Sequence, residues 1–433
     1  MPVSLAQLHD AMPSGGLFAG GEWQWSPEPL RLTAGEARLI SRLGHPLSRF
    51  QQACDTIYRR SAAGKLPEWI SELLDFGKPD WMVRHQREPS LAEHLPAVIR
   101  PDLLLTDDGF ALTELDSVPG GIGVTAWLSR TYAAAGHKVL GGADGMLEGF
   151  RSILPGGADI LVSEEAGDYR PEMDWLAEQF GAGWGTVAAE EYQPRDGADA
   201  YRFFELFDWE SVPEIRHIAA AVAEGRMSLT PPVKPHLEDK LWLALLWAPA
   251  LRRVWRGALR GNHLKRMREL TPFGWVVDPT PLPPHASLPR LEAHGWDEVA
   301  AFSQKERQLV LKISGFHETA WGSRGVFIGH DLSREEWEAR LRHALDQAGE
   351  QPWLMQEFRE GRLVEHPVFR NDGSVEMMRG RVRLCPYFFT NPEGKTRFGG
   401  CLATIAPADK KKIHGMTDAV LVPCEVGEPV DRA

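Results

Sequence analysis

The stretch VIRPDLLLTDDGFALTELDSVPGG, residues 98–121, decides the fold prediction. Two runs of alternating apolar residues flank the Asp-Asp-Gly turn at 107–109, and Asp-Gly between such runs is a strong signal for a β-hairpin. The sequence therefore predicts two antiparallel strands joined by a tight turn.

Three carboxylates belong to this hairpin. Asp102 lies on its first strand, and Glu114 and Asp116 lie two residues apart on its second. Side chains alternate along a strand, so Glu114 and Asp116 share one face, where Asp102 can join them. Converging carboxylates suit Mg²⁺, which takes carboxylate oxygens together with substrate phosphates, although acidic residues also decorate solvent-exposed hairpins. The following segment SVPGGIGVT leads into a helix, whose first N–H groups could hold an anion.

The flanking segments have other periodicities. Residues 1–97 show the three- and four-residue apolar spacing of helices. Strand, helix and strand patterns follow from residue 158 and predict a small α/β layer, which ends at the Pro-rich segment 228–236. Residues 238–270 are predicted to form one or two helices, and further strands follow QLVLKIS at 308–314.

Two lysines stand out in the second half. Lys240 lies at the start of a predicted helix, whereas Lys312 lies inside an apolar strand, where a buried lysine needs an anion. The Gly-rich segment 315–329 after Lys312 is either a phosphate-binding connection or a surface loop. The strand end at Gln356, Glu357 and Phe358 is either a nucleotide contact or an ordinary strand end.

Basic residues form two further groups. Arg379, Arg381 and Arg383 share one face of a predicted strand, which is either a solvated edge or a wall for polyphosphate. Seven Lys or Arg residues between 252 and 268 are typical of a solvated helical face rather than a nucleic-acid site.

Composition excludes several classes of protein. Among 433 residues, 43% are hydrophobic and 25% charged, as in a folded globular protein of two or three lobes. The net charge of −12 gives no general attraction for nucleic acid or an anionic membrane. The longest apolar run, 241–251, is too short to span a bilayer. The four scattered cysteines, Cys54, Cys385, Cys401 and Cys424, predict reduced thiols in a cytoplasm.

The order of these motifs resembles the circularly permuted ATP-grasp family, and in particular the synthetase domain of glutathionylspermidine synthetase. In ordinary ATP-grasp chains the lysines precede the metal-binding carboxylates, whereas here the carboxylate hairpin comes first. The matching segments are Arg100-Pro101-Asp102, Glu114-Leu115-Asp116 with the following Ser-Val-Pro-Gly-Gly, Glu238-Asp239-Lys240, Lys312 and Gln356-Glu357-Phe358.

The resemblance implies an α/β (α+β) ATP-grasp architecture, circularly permuted, with the nucleotide held between two α/β lobes. It implies four segments: a mostly helical segment 1–97, the metal-binding hairpin and Gly-rich turn 98–157, an acceptor-side α/β lobe 158–230 and the nucleotide-binding lobes 231–433.

The resemblance also implies ATP and Mg²⁺ as cofactors. Asp102, Glu114 and Asp116 would bind the metal, and Arg100 and Lys312 would stabilise the transferring phosphoryl group. Nucleotide contacts would come from Lys240, Lys312, Gln356, Glu357, Phe358 and Arg381. Two features depart from the family pattern: Asp116 replaces an asparagine, and the loop after Lys312 is longer.

The implied activity is that of an ATP-dependent carboxylate-amine ligase, which forms an amide through an acyl phosphate and releases ADP and phosphate. Its partners would be a small carboxylate and a small amine, with no nucleic acid and no membrane. A small-molecule kinase and a non-catalytic nucleotide-binding scaffold are the alternatives. A dinucleotide-binding dehydrogenase is disfavoured because no G-x-G-x-x-G follows the strand at 158–164. The substrates and the oligomeric state stay open.

Overall fold

The computed structural model describes residues 2–18, 23–320, 324–411, 413 and 418–427. The chain forms two compact units, each assembled from segments that are distant in the sequence. Unit 1 combines Met1–Gln51, Glu88–Lys234 and Gly361–Ala433, and unit 2 combines Gln52–Arg87 and Pro235–Glu360. The division into four consecutive segments stays a prediction.

The strands of the described residues form three sheets. In chain order they are β1 (Leu30–Leu32), β2 (Val98–Thr106), β3 (Gly109–Asp116), β4 (Ala158–Val162), β5 (Trp184–Ala188), β6 (Asp199–Phe203), β7 (Ser228–Thr230), β8 (Gly274–Val277), β9 (Leu309–Ile313), β10 (Val326–Ile328), β11 (Trp353–Glu357), β12 (Leu363–Phe369), β13 (Val375–Thr390), β14 (Thr396–Pro407) and β15 (Val420–Val426).

Helices surround these sheets. In chain order the α-helices are α1 (Leu5–Ala11), α2 (Ala34–Ser41), α3 (Gly44–Ala62), α4 (Trp69–Asp75), α5 (Asp80–Gln86), α6 (Ile122–Ala134), α7 (Gly145–Ile153), α8 (Arg170–Phe180), α9 (Ile215–Ala223), α10 (Trp242–Leu245), α11 (Arg252–Ala258), α12 (Gly261–Leu270), α13 (Trp296–Ala300) and α14 (Arg334–Asp346). Short 3-10 helices lie at Pro89–Leu91, Gly167–Tyr169, Leu206–Ser211, Pro235–Leu237, Pro249–Leu251, Glu318–Ala320 and Gly329–Asp331. Within the described residues, no helix combines the length and the apolar character needed to cross a membrane.

The predicted hairpin is confirmed, and it belongs to the largest sheet of unit 1. β2 and β3 pair antiparallel from Arg100 opposite Asp116 to Thr106 opposite Gly109. Gly109 has a φ of 127°, which residues with a Cβ rarely adopt, so glycine suits this closure of the turn. The sheet has the order β1-β15-β14-β13-β2-β3, and β12 also pairs with β13. The hairpin therefore lies at an edge of the sheet, next to the long strand β13.

The small α/β layer predicted from residue 158 is also confirmed. β5, β4, β6 and β7 form a parallel sheet in unit 1, and α8 connects β4 to β5. The apolar residues at helical spacing in α8 are buried, as the pattern predicts.

Unit 2 contains an antiparallel sheet of order β10-β9-β11-β8. One face carries Trp275, Leu311 and Met355, which pack with Trp337 of α14 in a buried core. Strand alternation places Lys312 and Gln356 on the opposite face, because each lies next to one of these core residues.

One secondary-structure prediction is wrong. Residues 238–270 form several short pieces rather than one or two helices: α10, the 3-10 helix Pro249–Leu251, α11 and α12. Pro249 cannot donate a helical hydrogen bond, and Leu259 is extended between α11 and α12. The predicted helix is therefore interrupted at two points, Pro249 and Leu259.

Candidate functional site

The hairpin register brings a cation and three carboxylates to one face. Arg100 lies opposite Asp116, and Asp102 lies opposite Glu114. Directly opposed residues of an antiparallel pair project to the same side. The register shifts just beyond Asp102, so that Thr113 is an extra residue in β3, and its hydroxyl donates to the Asp102 carbonyl at 3.1 Å. This bulge ends the regular alternation directly behind the cluster.

Arg100 connects two of these carboxylates. Its Nε lies 2.9 Å from Oδ1 of Asp102, and its Nη2 lies 2.9 Å from Oδ2 of Asp116. Its Nη1 donates to the carbonyl oxygen of Gly120 at 3.2 Å. The guanidinium is thus fixed on three sides by the hairpin and by the turn that follows it.

Strand β13 completes the cluster with residues to which sequence analysis assigned no individual role. Arg383 Nη1 lies 3.1 Å from Oδ2 of Asp102, and the Cys385 thiol approaches Oδ1 of the same carboxylate at 3.5 Å. The Tyr387 hydroxyl donates to the Gly120 carbonyl at 2.7 Å. Alternate residues of one strand face the cluster, a pattern visible in the sequence but not attributable to the hairpin without knowing that β13 pairs with β2.

The pKa values of two carboxyls of the cluster are shifted in opposite directions. Burial raises the pKa of Asp102, but Arg100 and Arg383 together outweigh it and hold that pKa below its ordinary value. Burial also raises the pKa of Asp116; Arg100 opposes this rise, while Glu114 and Asp102 add to it, and the pKa stays above its ordinary value. Burial is thus the main reason why the pKa of Asp116 is raised, and the neighbouring carboxylates add to it.

The donor chemistry of this face fits a hard cation such as Mg²⁺, since it offers carboxylate oxygens. The side chains do not form a ready metal cage. Among the described residues, no group of three or more His, Cys, Asp or Glu side chains is placed to hold a metal ion. The Arg100 guanidinium lies between the Asp102 and Asp116 carboxylates instead.

The Gly-rich turn after the hairpin does hold an anion, but the anion belongs to the chain itself. Glu172 of α8 accepts from the N–H of Gly121 at 3.1 Å and from the N–H of Gly123 at 2.7 Å, at the start of α6. Gly121 has a φ of 85°, and a Cβ on Gly120 would lie 2.2 Å from the ring of Tyr169. Both glycines are required by the turn.

Sequence analysis missed Glu172, although it carries a signal. It occupies the buried face of α8 with Met173, Leu176 and Phe180, where a carboxylate needs hydrogen-bond donors. Burial raises its pKa to about 7, against the backbone N–H groups and Arg100, which lower it.

Glu172→Gln should make stability less dependent on pH. A carboxyl with a pKa of about 7 in the folded state and 4.5 as its ordinary value stabilises the fold below pH 4.5 and loses that contribution as pH rises through 7. The loss corresponds to about 3 kcal/mol. Urea unfolding between pH 4.5 and 8 should therefore show a flatter profile for the variant.

The matched control is Glu178→Gln, an exposed glutamate on the same helix, which should keep the wild-type pH profile. Identical slopes for wild type and Glu172→Gln would show that Glu172 does not titrate in this range.

In unit 2, Lys312 meets the amide of Gln356. The Lys312 side chain is buried, with 8% of the residue exposed, and its Nζ donates to Oε1 of Gln356 at 2.8 Å. Nε2 of Gln356 is buried and has no hydrogen-bond partner among the described residues. A buried donor without an acceptor is costly, so this atom is suited to an acceptor on a ligand.

The other predicted nucleotide residues of unit 2 have protein partners. Lys240 Nζ donates to the Ala320 carbonyl at 2.6 Å. Glu357 forms ion pairs with Arg290 at 2.9 Å and with Arg359 at 2.8 Å. The Phe358 ring packs edge-on against His330, with centroids 4.6 Å apart. In unit 1, Arg381 donates to the Ala408 carbonyl, and Arg383 of the same row contacts Asp102.

A buried ion pair supports the strand that carries Lys312. Lys78 Nζ lies 2.9 Å from Oδ2 of Asp239, and only 1% of either side chain is exposed. Oδ1 of Asp239 accepts from the Ser314 hydroxyl and, at 2.9 Å, from the N–H of Leu241. In the loop beyond, a Cβ on Gly315 would lie 2.7 Å from the Glu238 carbonyl, and Trp321, Gly322 and Ser323 lie outside the described residues.

Comparison of the sequence with protein-family models and with curated proteins found no match. Among solved structures, a glutathione synthetase-like effector from Globodera pallida, in its apo form, aligns over 98% of this chain and 97% of its own, with a TM-score of 0.56 and 14% identity. A putative gamma-glutamylcysteine synthetase from Methylobacillus flagellatus aligns over 90% and 87%, with a TM-score of 0.38 and 10% identity, which is too low to carry an argument.

The first of these likenesses extends over nearly the whole of both chains. At 14% identity it shows the fold alone. The chain thus shares its α/β fold with this glutathione synthetase-like protein, and the α/β fold class predicted from the order of the motifs is confirmed. The position of the nucleotide stays a prediction.

Proposed function

We propose that the chain is an ATP-dependent carboxylate-amine ligase, similar to the synthetase domain of glutathionylspermidine synthetase and working in the cytoplasm. The observation that carries the proposal is the in-register cluster of Arg100, Asp102, Glu114 and Asp116 on one hairpin face. Partly buried charged groups with shifted pKa values are concentrated at functional sites more often than elsewhere in a protein. The fold adds support, because it is that of a glutathione synthetase-like protein.

The residues would divide the work as follows. A substrate carboxylate attacks the γ-phosphorus of ATP, ADP leaves, and an amine displaces phosphate from the resulting acyl phosphate. Arg100 would stabilise charge on the transferring phosphoryl group. Lys312 and Gln356 would bind ATP, the first through charge and the second through an N–H that has no partner among the described residues.

The remaining roles rest on the same proposal. Asp102, Glu114 and Asp116 would hold Mg²⁺, which supplies charge neutralisation for the phosphates when bound. Lys240 would contact a phosphate, while Glu357, Phe358 and Arg381 would line the nucleotide site.

Calorimetry with ATP and Mg²⁺ tests the binding step. Lys312→Ala and Glu114→Ala should each weaken Mg-ATP binding by about tenfold or more, as expected for the loss of a charge-assisted contact. Lys305→Ala, an exposed lysine of the same unit, should bind as the wild type does. Thermal unfolding of each variant separates loss of binding from loss of fold.

Turnover is tested by ADP release in mixtures of carboxylates and amines, with mass spectrometry of the products. An amide supports the ligase, and a phosphorylated product without an amide supports a kinase instead. A wild-type protein that does not bind Mg-ATP would contradict the proposal as a whole.

One observation favours a second candidate, a nucleotide-binding protein without turnover. The Arg100 guanidinium occupies the space between two of the predicted metal ligands. Mg-ATP binding without ADP release under any substrate combination would support this candidate.

A further inference from the structure

A groove of about 1090 Å³ runs along the edge of β8 in unit 2. Every residue from Phe273 to Pro283 lines it, which includes the whole of β8. A strand presents alternate residues to opposite faces, so a cavity that touches all of them lies along the strand edge. β8 is the terminal strand of its sheet, with β11 on its other side. The groove therefore follows an edge at which another strand can be added.

Helix α4 and the residue after it form an apolar wall of this groove. Trp69, Leu73 and Phe76 follow the helical spacing of one stripe and line the groove together. Trp69 is 39% exposed and Phe76 is 36% exposed, which places them among the most exposed large apolar side chains of the described residues. Trp247 and Phe273 line the groove as well.

The charged side chains among the described residues that line the groove are acidic. Its lining includes the carboxylates of Glu72, Asp278 and Asp297, all exposed, and no Lys or Arg among the described residues. An occupant with apolar side chains and positive charge would complement both features.

Size and shape favour a polypeptide segment over a small molecule. Small-molecule pockets measure roughly 300–1,000 Å³, and the groove lies just above that range. Extended peptides bind sheet edges through main-chain hydrogen bonds, with alternate side chains entering pockets.

We propose that this groove binds an extended segment of a partner protein, which adds a strand to β8 and carries alternating apolar residues together with Lys or Arg. Neither Lys312 nor Gln356 lines the groove, although Gly274 in its lining pairs with Gln356 across the sheet.

A display library of random nine-residue peptides, selected against the full chain, tests the proposal. Enriched peptides should alternate apolar residues and carry Lys or Arg, and synthetic copies should bind the chain in fluorescence polarisation. Glu72→Lys combined with Asp278→Lys should weaken binding at least fivefold, and Trp69→Ser at least tenfold. Glu335→Lys, an equally exposed reversal on α14, should leave binding unchanged.

Two further arms decide the mode of binding. A peptide methylated at alternate backbone nitrogens should bind at least tenfold more weakly, because main-chain donors are lost. Equal binding of the methylated peptide, enrichment of acidic peptides or no enrichment at all would overturn the proposal. So would a dimer in sedimentation velocity that Trp69→Ser dissociates, since a second copy would then be the occupant.

Discussion

Replacing Arg100 by alanine is expected to destabilise the protein by about 3–5 kcal/mol, the usual cost of removing one partner from a buried ion pair. The guanidinium forms ion pairs with Asp102 and Asp116, and both carboxylates are largely buried. Without it, Asp102 keeps its ion pair with Arg383, whereas Asp116 loses its ion pair with Arg100. Urea unfolding near neutral pH measures the loss.

The pH dependence of this loss has a defined sign. In the wild type the lowered pKa of Asp102 means that its contribution to stability is present above its ordinary pKa of 3.8 and is lost as pH falls through the folded value. In Arg100→Ala both carboxyls should have raised pKa values, so the variant should regain stability relative to the wild type as the pH falls toward 5.

Two substitutions serve as controls. Arg100→Lys keeps the charge but cannot form the forked contact with two carboxylates, so an intermediate loss is expected. Arg379→Ala removes an exposed arginine from β13 and should change stability little. A loss below about 1 kcal/mol for Arg100→Ala would mean that solvent screens the cluster as it screens a surface pair.

The hairpin could be predicted from the sequence because its information is local. An Asp-Gly turn between alternating strands fixes which residues pair, and pairing fixes which side chains share a face. Asp102, Glu114 and Asp116 could thus be grouped from the hairpin pattern, and their register agrees with that grouping. Arg100 lies on the same face, although only the family resemblance had pointed to it. The bulge at Thr113 could not be predicted, because nothing in the neighbouring sequence distinguishes Thr113 from a regular strand residue.

The partners from distant segments could not be predicted in the same way. Glu172 lies 51 positions beyond Gly121, and Arg383 lies 281 positions beyond Asp102. Helical periodicity predicts that Glu172 is a buried carboxylate. Only the packing of α8 against α6 shows which N–H groups donate to it. The sequence indicated that the N–H groups of this turn could hold an anion, and the chain itself supplies one in Glu172.

The burial of Lys78 is a feature that the local sequence does not predict. It lies in FGKPD, a segment of Gly, Pro and charged residues that is typical of an exposed turn. Its side chain is nevertheless buried against Asp239, a residue 161 positions away. Asp239 belongs to the Glu238-Asp239-Lys240 motif, which was interpreted through the proposed role of Lys240. The structural role of Asp239 was therefore not predicted.

Lys78→Ala should therefore destabilise the chain by about 3–5 kcal/mol, because it leaves the Asp239 carboxylate buried without a cation. The Ser314 hydroxyl and the Leu241 N–H would still donate to that carboxylate, but neutral donors do not balance its charge. Ser314 lies two residues after Lys312, so Mg-ATP affinity should also fall under conditions where the variant is still folded. Urea unfolding and calorimetry measure the two effects separately.

The double variant Lys78→Met with Asp239→Asn is the decisive comparison. It removes both charges and keeps a side-chain oxygen for Ser314, so it should recover much of the stability lost in Lys78→Ala. Lys65→Ala, an exposed lysine of the same unit, should be nearly neutral. If the double variant is no more stable than Lys78→Ala, the cost comes from lost packing of the lysine stem rather than from the uncompensated charge. If it regains stability but not Mg-ATP affinity, the ion pair itself is what holds the strand carrying Lys312 in its binding position.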